Sequence, residues 1–199
     1  MKIMFISDIH GIKTNLKLIK KKYDKFECEK LVVLGDLYYH DYNYRYPDTD
    51  NDYIFDFLKS FGDDLICMKG NCDTELDIKL SSFTFLRDLS LLYVDGLNIY
   101  ITHGDKYSER NCQNLKNLKG ILVYGHEHRP YIYEQGKFVY INTGSISLPR
   151  GTEKASYTIY DNRKFTIYDV EGKNKLYARK REYTRAFRQE YLRNARSAL

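Results

Sequence analysis

Lys2-Ile3-Met4-Phe5-Ile6-Ser7-Asp8-Ile9-His10-Gly11 is the stretch on which the architecture turns. Lys2–Ile6 reads as a strand buried in a sheet, and it breaks at once into small and polar residues. The same sequence of events recurs downstream. Leu31–Leu34 runs into Gly35-Asp36, and Leu65–Met68 is followed by Gly70-Asn71-Cys72-Asp73. Leu97–Ile101 ends at Thr102-His103-Gly104-Asp105, and Ile121–Tyr124 at Gly125-His126-Glu127-His128. Between the first two strands, Thr14–Tyr23 sets Leu16, Ile19 and Tyr23 at helical spacing under a lysine-rich face. Asp52–Phe61 does the same with Tyr53, Ile54, Phe57, Leu58 and Phe61. Strand, helix, strand, helix, strand predicts an α/β domain.

The second half is richer in strands. Tyr131–Glu134 and Lys137–Ile141 flank Gln135-Gly136, and Tyr157–Tyr160 and Lys164–Tyr168 flank Asp161-Asn162-Arg163, two hairpin signals. The sum predicts a mixed β core covered by helices. Tyr38 to Asp52, with Tyr39, Tyr42, Tyr44, Tyr46 and Pro47, reads as a long surface loop of the kind that often carries function.

At 199 residues, 43% hydrophobic and 30% charged, the chain suits one globular domain and neither a disordered nor a fibrous class. No apolar run approaches the ~18–20 residues of a membrane span, and acidic residues interrupt the N-terminus before a signal-peptide core forms. Cys28, Cys67, Cys72 and Cys112 make no CxxC pair, so a reducing, cytoplasmic setting is expected. The net charge is +5. Residues 177–199 hold seven basic side chains and two acidic ones, which leaves 25 of each sign in the body. That neutral body disfavours a nonspecific nucleic-acid binder. Residues 1–176 are therefore expected to form the domain. The basic tail, with Tyr183, Phe187 and Tyr191 at helical spacing, is either a native helix on the body or a neighbour, or an extension foreign to the domain.

The residues just past each strand carry the chemistry, because open α/β sheets bind ligands at strand carboxyl ends. Four of the five histidines lie in these clusters. Asp8 and His10 are two apart, as are His126 and His128, so on an extended backbone each pair points to one side. Imidazole, carboxylate and amide oxygen together suit Mn²⁺, Fe²⁺ or Zn²⁺, and no thiolate cluster calls for structural zinc. Asp8, Asp36, His10, His103, His126, His128 and Asn71 exceed what one ion needs and fit two ions ~3.5–4 Å apart.

In this order, Asp-x-His, Gly-Asp, Gly-Asn-x-Asp, Thr-His-Gly and Gly-His-x-His resemble the calcineurin-like metallophosphoesterases over roughly residues 1–170. Asn142-Thr143-Gly144-Ser145 is similar to the family's late Asn-Pro-Gly-Ser turn. Among its branches the chain most resembles the small bacterial YfcE-type phosphodiesterases, through its opening motif, His40 and Gly-Asn-Cys-Asp. The resemblance implies a four-layer α/β/β/α sandwich of two mixed sheets with the metal site at strand C-terminal ends. It also implies that Asp8, His10 and His128 hold one metal, that Asn71, His103 and His126 hold the other, and that Asp36 bridges them. The expected cofactor is a pair of divalent ions, foremost Mn²⁺, with Fe²⁺, Zn²⁺ or Ni²⁺ as alternatives.

Such a pair lowers the pKa of a bridging water and clamps the phosphoryl oxygens, so a hydroxide attacks with no protein nucleophile. Many family members carry histidine where Cys72 stands. A neutral thiol is a poorer acid than imidazolium, which points to small phosphodiesters over ordinary monoesters. The catalytic set is then Asp36, Asn71, Cys72 and His40, the last as a general acid or phosphate contact, or else a solvated loop residue. The loop tyrosines are either base-stacking surfaces or simply part of a tyrosine-rich composition. The expected activity is that of a metal-dependent phosphoric diester hydrolase on a small molecule, with room for a homo-oligomer. The alternatives are a phosphomonoesterase or nucleotide phosphatase of the same superfamily, or a non-catalytic scaffold of the same fold.

Overall fold

The computed structural model describes residues 1–40, 46–111, 115, 118–151 and 153–172. The tail at 177–199, Tyr42, Tyr44 and Cys112 lie outside them. The chain runs β1 (Lys2–Ile6), α1 (Leu16–Lys25), β2 (Lys30–Val33), α2 (Asn51–Lys59), β3 (Leu65–Met68), α3 (Glu75–Leu80) and β4 (Phe85–Leu86). It continues with β5 (Ser90–Val94), β6 (Leu97–Ile101), β7 (Gly120–Tyr124), β8 (Pro130–Gln135), β9 (Phe138–Thr143), β10 (Ser156–Asp161) and β11 (Lys164–Asp169).

Two mixed sheets result, ordered β11-β10-β1-β2-β3-β4 and β5-β6-β7-β9-β8. β1 explains why its apolar run is unbroken. Ile3 and Phe5 enter the core shared with the second sheet, where they join Ile99, Ile101, Val123 and Ile141. Met4 and Ile6 enter the core under the helices, beside Leu16 and Ile19 of α1 and Ile54 and Leu58 of α2. Successive side chains leave a strand on opposite faces, so a strand covered on both sides must be apolar throughout. The outer face of the second sheet buries Tyr100, Leu122, Tyr124 and Tyr140 against Leu115, with Tyr107 and Leu118 packed beside them.

Several local details differ from the pattern in the sequence. α2 begins at Asn51 because the Asp50 carboxylate accepts the Tyr53 N–H and caps it. α3, β4 and β5 are too short or too mixed to show a period; α3 is set by a capping box between Thr74 and Asp77. The β10–β11 hairpin turns on Asn162 and Arg163, both at positive φ, as a two-residue turn of this hand demands. The Tyr38–Asp52 loop does not begin on the surface, since Tyr38 is buried. Among the described residues no helix is long and apolar enough to cross a membrane.

Candidate metal centre

The carboxyl ends of β1, β2, β3, β6 and β7 meet where the sheets abut. Asp8, His10, Asp36, His126 and His128 all sit at φ between 49° and 63°. That left-handed region is uncommon for residues with a Cβ and persists only where surrounding structure holds it. The holding contacts run between loops: Asp8 N–H to Gly35 O at 3.1 Å, His10 N–H to Asp36 O at 2.9 Å and Gly125 N–H to His103 O at 2.9 Å. The extended-backbone reading of Asp8 with His10, and of His126 with His128, is therefore corrected. Asp8 and His10 converge through a left-handed turn, and His126 and His128 serve different clusters.

The first cluster is Asp8, His10 and His128, whose ligand atoms lie within 4.8 Å of one another. Asp8 Oδ1 is 3.2 Å from His128 Nε2 and 3.8 Å from His10 Nε2, and the two Nε2 atoms are 3.2 Å apart. The second is Asp36, His103 and His126. His103 Nε2 lies 3.4 Å from Asp36 Oδ2, 3.2 Å from His126 Nδ1 and 2.9 Å from Asn71 Oδ1. Asp36 Oδ2 also lies 3.7 Å from His10 Nε2, so this carboxylate stands between the clusters.

The donor set fits divalent cations on the orientation of its lone pairs. Each carboxylate ties one oxygen to a backbone amide, Asp8 Oδ2 to His126 N–H at 2.9 Å and Asp36 Oδ1 to Cys72 N–H at 2.8 Å. The other oxygen is turned inward, and Asp8 Oδ1 is buried without meeting any hydrogen-bond geometry. His103 Nδ1 donates to Leu34 O at 2.8 Å and His128 Nδ1 to Leu148 O at 2.6 Å. A carbonyl only accepts, so both imidazoles present Nε2 lone pairs to the cluster when neutral. Lone pairs facing one another at such distances call for a cation or a proton between them.

Without a cation, protons respond to the same field. Burial opposes charge on His103, but Asp36 and Asp8 outweigh it and push the imidazole up to about 9. Burial also opposes Asp8, whose partners His10 and His128 hold it well below the usual carboxylate range. His126 is lowered by burial and by the neighbouring His103. Cys72 is exposed as a residue, but partial desolvation of its sulfur, followed by the Asp36 charge, pushes the thiol up to about 12 in the cation-free centre, where it is neutral near pH 7.

A cavity of about 410 Å³ opens over both clusters. Cys72, Tyr38, Tyr39, His40, Leu148 and Arg150 line it together with cluster residues. Cys72 is exposed and accepts a contact from Asn71 Nδ2 at 3.3 Å. His40 meets neither cluster; its Nε2 lies 2.8 Å from Asp77 Oδ2.

Four supports, Asp73, Ser145, Asn142 and Gly125, receive no role from the sequence alone. Asp73 is buried and accepts the N–H groups of Asp36, Leu37 and Gly70 at 2.9, 2.7 and 2.8 Å, knitting the β2 and β3 loops together. Ser145 Oγ donates to Asp8 O at 2.7 Å, and Asn142 Nδ2 to Gly125 O at 2.7 Å. Gly125 lets the β7 loop approach, since a Cβ there would lie 1.9 Å from Ser7 Oγ and 2.5 Å from Asp8 Oδ2. The Gly-Asn-x-Asp motif contained the signal for Asp73, because a buried carboxylate in a Gly-rich turn is ready to bind amides.

Residues 1–164 match the sequence profile of the Calcineurin-like phosphoesterase superfamily domain. The phosphodiesterase YfcE of Escherichia coli strain K12 is 31% identical over 163 residues, 81% of this chain and 88% of that protein. The probable metallophosphoesterase YsnB of Bacillus subtilis strain 168 is 28% identical over 86% of this chain and 93% of its own length. The solved structure of YfcE, described as a phosphoesterase from E. coli, superposes with a TM-score of 0.81 at 29% identity. It covers 88% of this chain and 97% of that one.

Proposed function

The chain belongs to the calcineurin-like phosphoesterase superfamily and is a metal-dependent phosphoesterase, and on that premise we propose that it hydrolyses small phosphodiesters at a dinuclear centre. Asp8, His10 and His128 would hold one ion and Asn71, His103 and His126 the other, with Asp36 available to both. The observation that carries this reading is Asp36 Oδ2, which faces His103 Nε2 at 3.4 Å and His10 Nε2 at 3.7 Å. Among the described residues, Asp36 is the carboxylate whose oxygen groups with candidate ligand atoms on both sides, His10 on one and His103 and His126 on the other. When bound, two divalent ions, foremost Mn²⁺, supply positive charge to the phosphoryl oxygens and acidify a water for attack at neutral pH.

The chain's own residues do the rest. Leu34 O and Leu148 O fix the tautomers of His103 and His128, and the Cys72 and His126 amides fix the carboxylates of Asp36 and Asp8, so these four donors are oriented before loading. Cys72 stands where a histidine would place a cationic ring beside the phosphoryl group, and a thiol brings no positive charge, which supports diesters over the more highly charged monoesters. The cavity suits a small substrate with one arm against Tyr38, Tyr39 and Arg150. The free cysteines Cys28, Cys67 and Cys72 are consistent with a reducing, cytoplasmic setting.

The test is hydrolysis of bis-p-nitrophenyl phosphate against p-nitrophenyl phosphate, on protein stripped of metal and then restored with Mn²⁺, with Asp36→Asn as control. Metal-dependent diester cleavage that the variant loses is expected. Preference for the monoester overturns the diester assignment, and silence on both, with two metals bound, points to a scaffold.

A further inference from the structure

Three cavity imidazoles, His10, His126 and His128, have ring nitrogens in the donor clusters; His40 is the fourth and stands apart. Its surroundings are built. Tyr38 OH meets Ser81 Oγ at 3.1 Å, at the C-terminal end of α3. The Tyr39 backbone is gripped on both sides by Asn51, whose Oδ1 accepts Tyr39 N–H at 3.2 Å and whose Nδ2 donates to Tyr39 O at 3.1 Å. His40 Nε2 meets Asp77 Oδ2 at 2.8 Å, at the N-terminal end of α3. Three consecutive loop residues are thus anchored, two of them to opposite ends of one helix.

Asp77 itself is nine-tenths buried. Its Oδ2 already accepts Thr74 N–H at 2.6 Å and Thr74 Oγ–H at 2.7 Å. An oxygen so placed only accepts, so His40 carries a proton on Nε2 toward Asp77, which leaves Nδ1 as the second proton site of a ring that lines the cavity. The His40 side chain is 34% exposed, open enough to exchange protons with solvent.

We propose that His40 is the proton donor to the departing oxygen and that Asp77 is its positioning residue. This rests on the diesterase reading above. As the attacking water oxygen, its proton released to solvent, bonds to phosphorus, the bond from phosphorus to the leaving oxygen breaks. That oxygen takes the Nδ1 proton of the doubly protonated ring. The ring, left neutral with Nε2–H on Asp77, regains a proton from solvent.

The experiment uses Mn²⁺-restored protein and two diesters, bis-p-nitrophenyl phosphate, whose leaving group needs little protonation, and diphenyl phosphate, whose leaving group needs more. His40→Gln is expected to slow diphenyl phosphate at least about tenfold more than bis-p-nitrophenyl phosphate, within the usual range of general-acid effects. Asp77→Asn is expected to show the same bias between leaving groups, and the double variant to be no slower than His40→Gln. Melting curves and Mn²⁺ stoichiometry show that each variant is folded and loaded. Should Asp77→Asn not fold, His40→Gln decides alone, because its bias between leaving groups has no structural origin. Equal losses on both substrates overturn the proposal in favour of a phosphate contact. Wild-type protein without Mn²⁺-dependent hydrolysis of either diester overturns this proposal and the diesterase reading together, whereas active wild type with equal losses overturns this proposal alone.

Discussion

Asn71 Oδ1 faces His103 Nε2 at 2.9 Å, although His103 already gives its Nδ1 proton to Leu34 O at 2.8 Å. Two acceptors this close repel unless a cation or proton lies between them. Metal loading is therefore expected to stabilise the fold. Saturating Mn²⁺ should raise the melting temperature of stripped protein by about 5–10 °C, the range for a ligand at ~100 times its dissociation constant. Under the proposed dinuclear reading, metal analysis should find two ions in wild type and one in Asn71→Ala. An unchanged melting curve on loading would refute the cation reading of this contact.

The pH dependence of loading has a definite sign. His103 titrates near 9 in the cation-free centre, above the ~6.5 of an unfolded histidine. Its contribution to metal-free stability is full below pH ~6.5 and is lost as pH rises through about 9. Metal needs the neutral ring, so affinity should climb up to about tenfold per pH unit toward that value. Chelated protein should melt lower, and loaded protein higher, as pH goes from 6.5 to 9. Parallel curves for the two forms would refute the assignment.

Gly125→Ala places a methyl group 2.5 Å from Asp8 Oδ2 and closer still to Ser7 Oγ. The loops must separate, at a cost of about 1–3 kcal/mol. Weaker metal binding and a melting point lower by several degrees are expected from titration and calorimetry. Wild-type affinity in this variant would show that the approach of β7 to β1 does not shape the site.

Asp73→Ala leaves the amides of Asp36, Leu37 and Gly70 without their acceptor inside the protein. The loss should be about 3–5 kcal/mol in urea unfolding, with the Asp36 loop released. Asp73→Asn keeps one accepting oxygen and should fall between. A cost below about 1 kcal/mol for the alanine variant would mean that water replaces the carboxylate without penalty.

Cys72→His puts a titratable imidazole where a neutral thiol now lines the cavity. Monoester hydrolysis should rise relative to diester hydrolysis, several-fold in the ratio of kcat/KM, because charge then offsets the extra phosphoryl charge. Cys72→Ser should leave that ratio near wild type. An unchanged ratio in the histidine variant refutes the link between the thiol and diester preference.

β1 was legible as a buried strand because its unbroken apolar run is a local signal, whereas the structure assigned Ile3 and Phe5 to one core and Met4 and Ile6 to the other. The strand-end clusters were legible for the same reason, since each polar break follows an apolar run. α3 was not, being too short to display a period, and with it went the sight of Asp77 beside His40. The left-handed turns at Asp8, His10, Asp36, His126 and His128 leave no mark in composition, because nothing in an aspartate or histidine demands positive φ. By itself, then, the sequence determined which chemical groups stand at the strand ends, through periodicities of two and of about three and a half residues. Only the tertiary structure decided which of them meet. His10 and His128, 118 positions apart, touch because two sheets pack face to face and their loops are pinned by backbone hydrogen bonds, and such long-range closure is not encoded in any single segment.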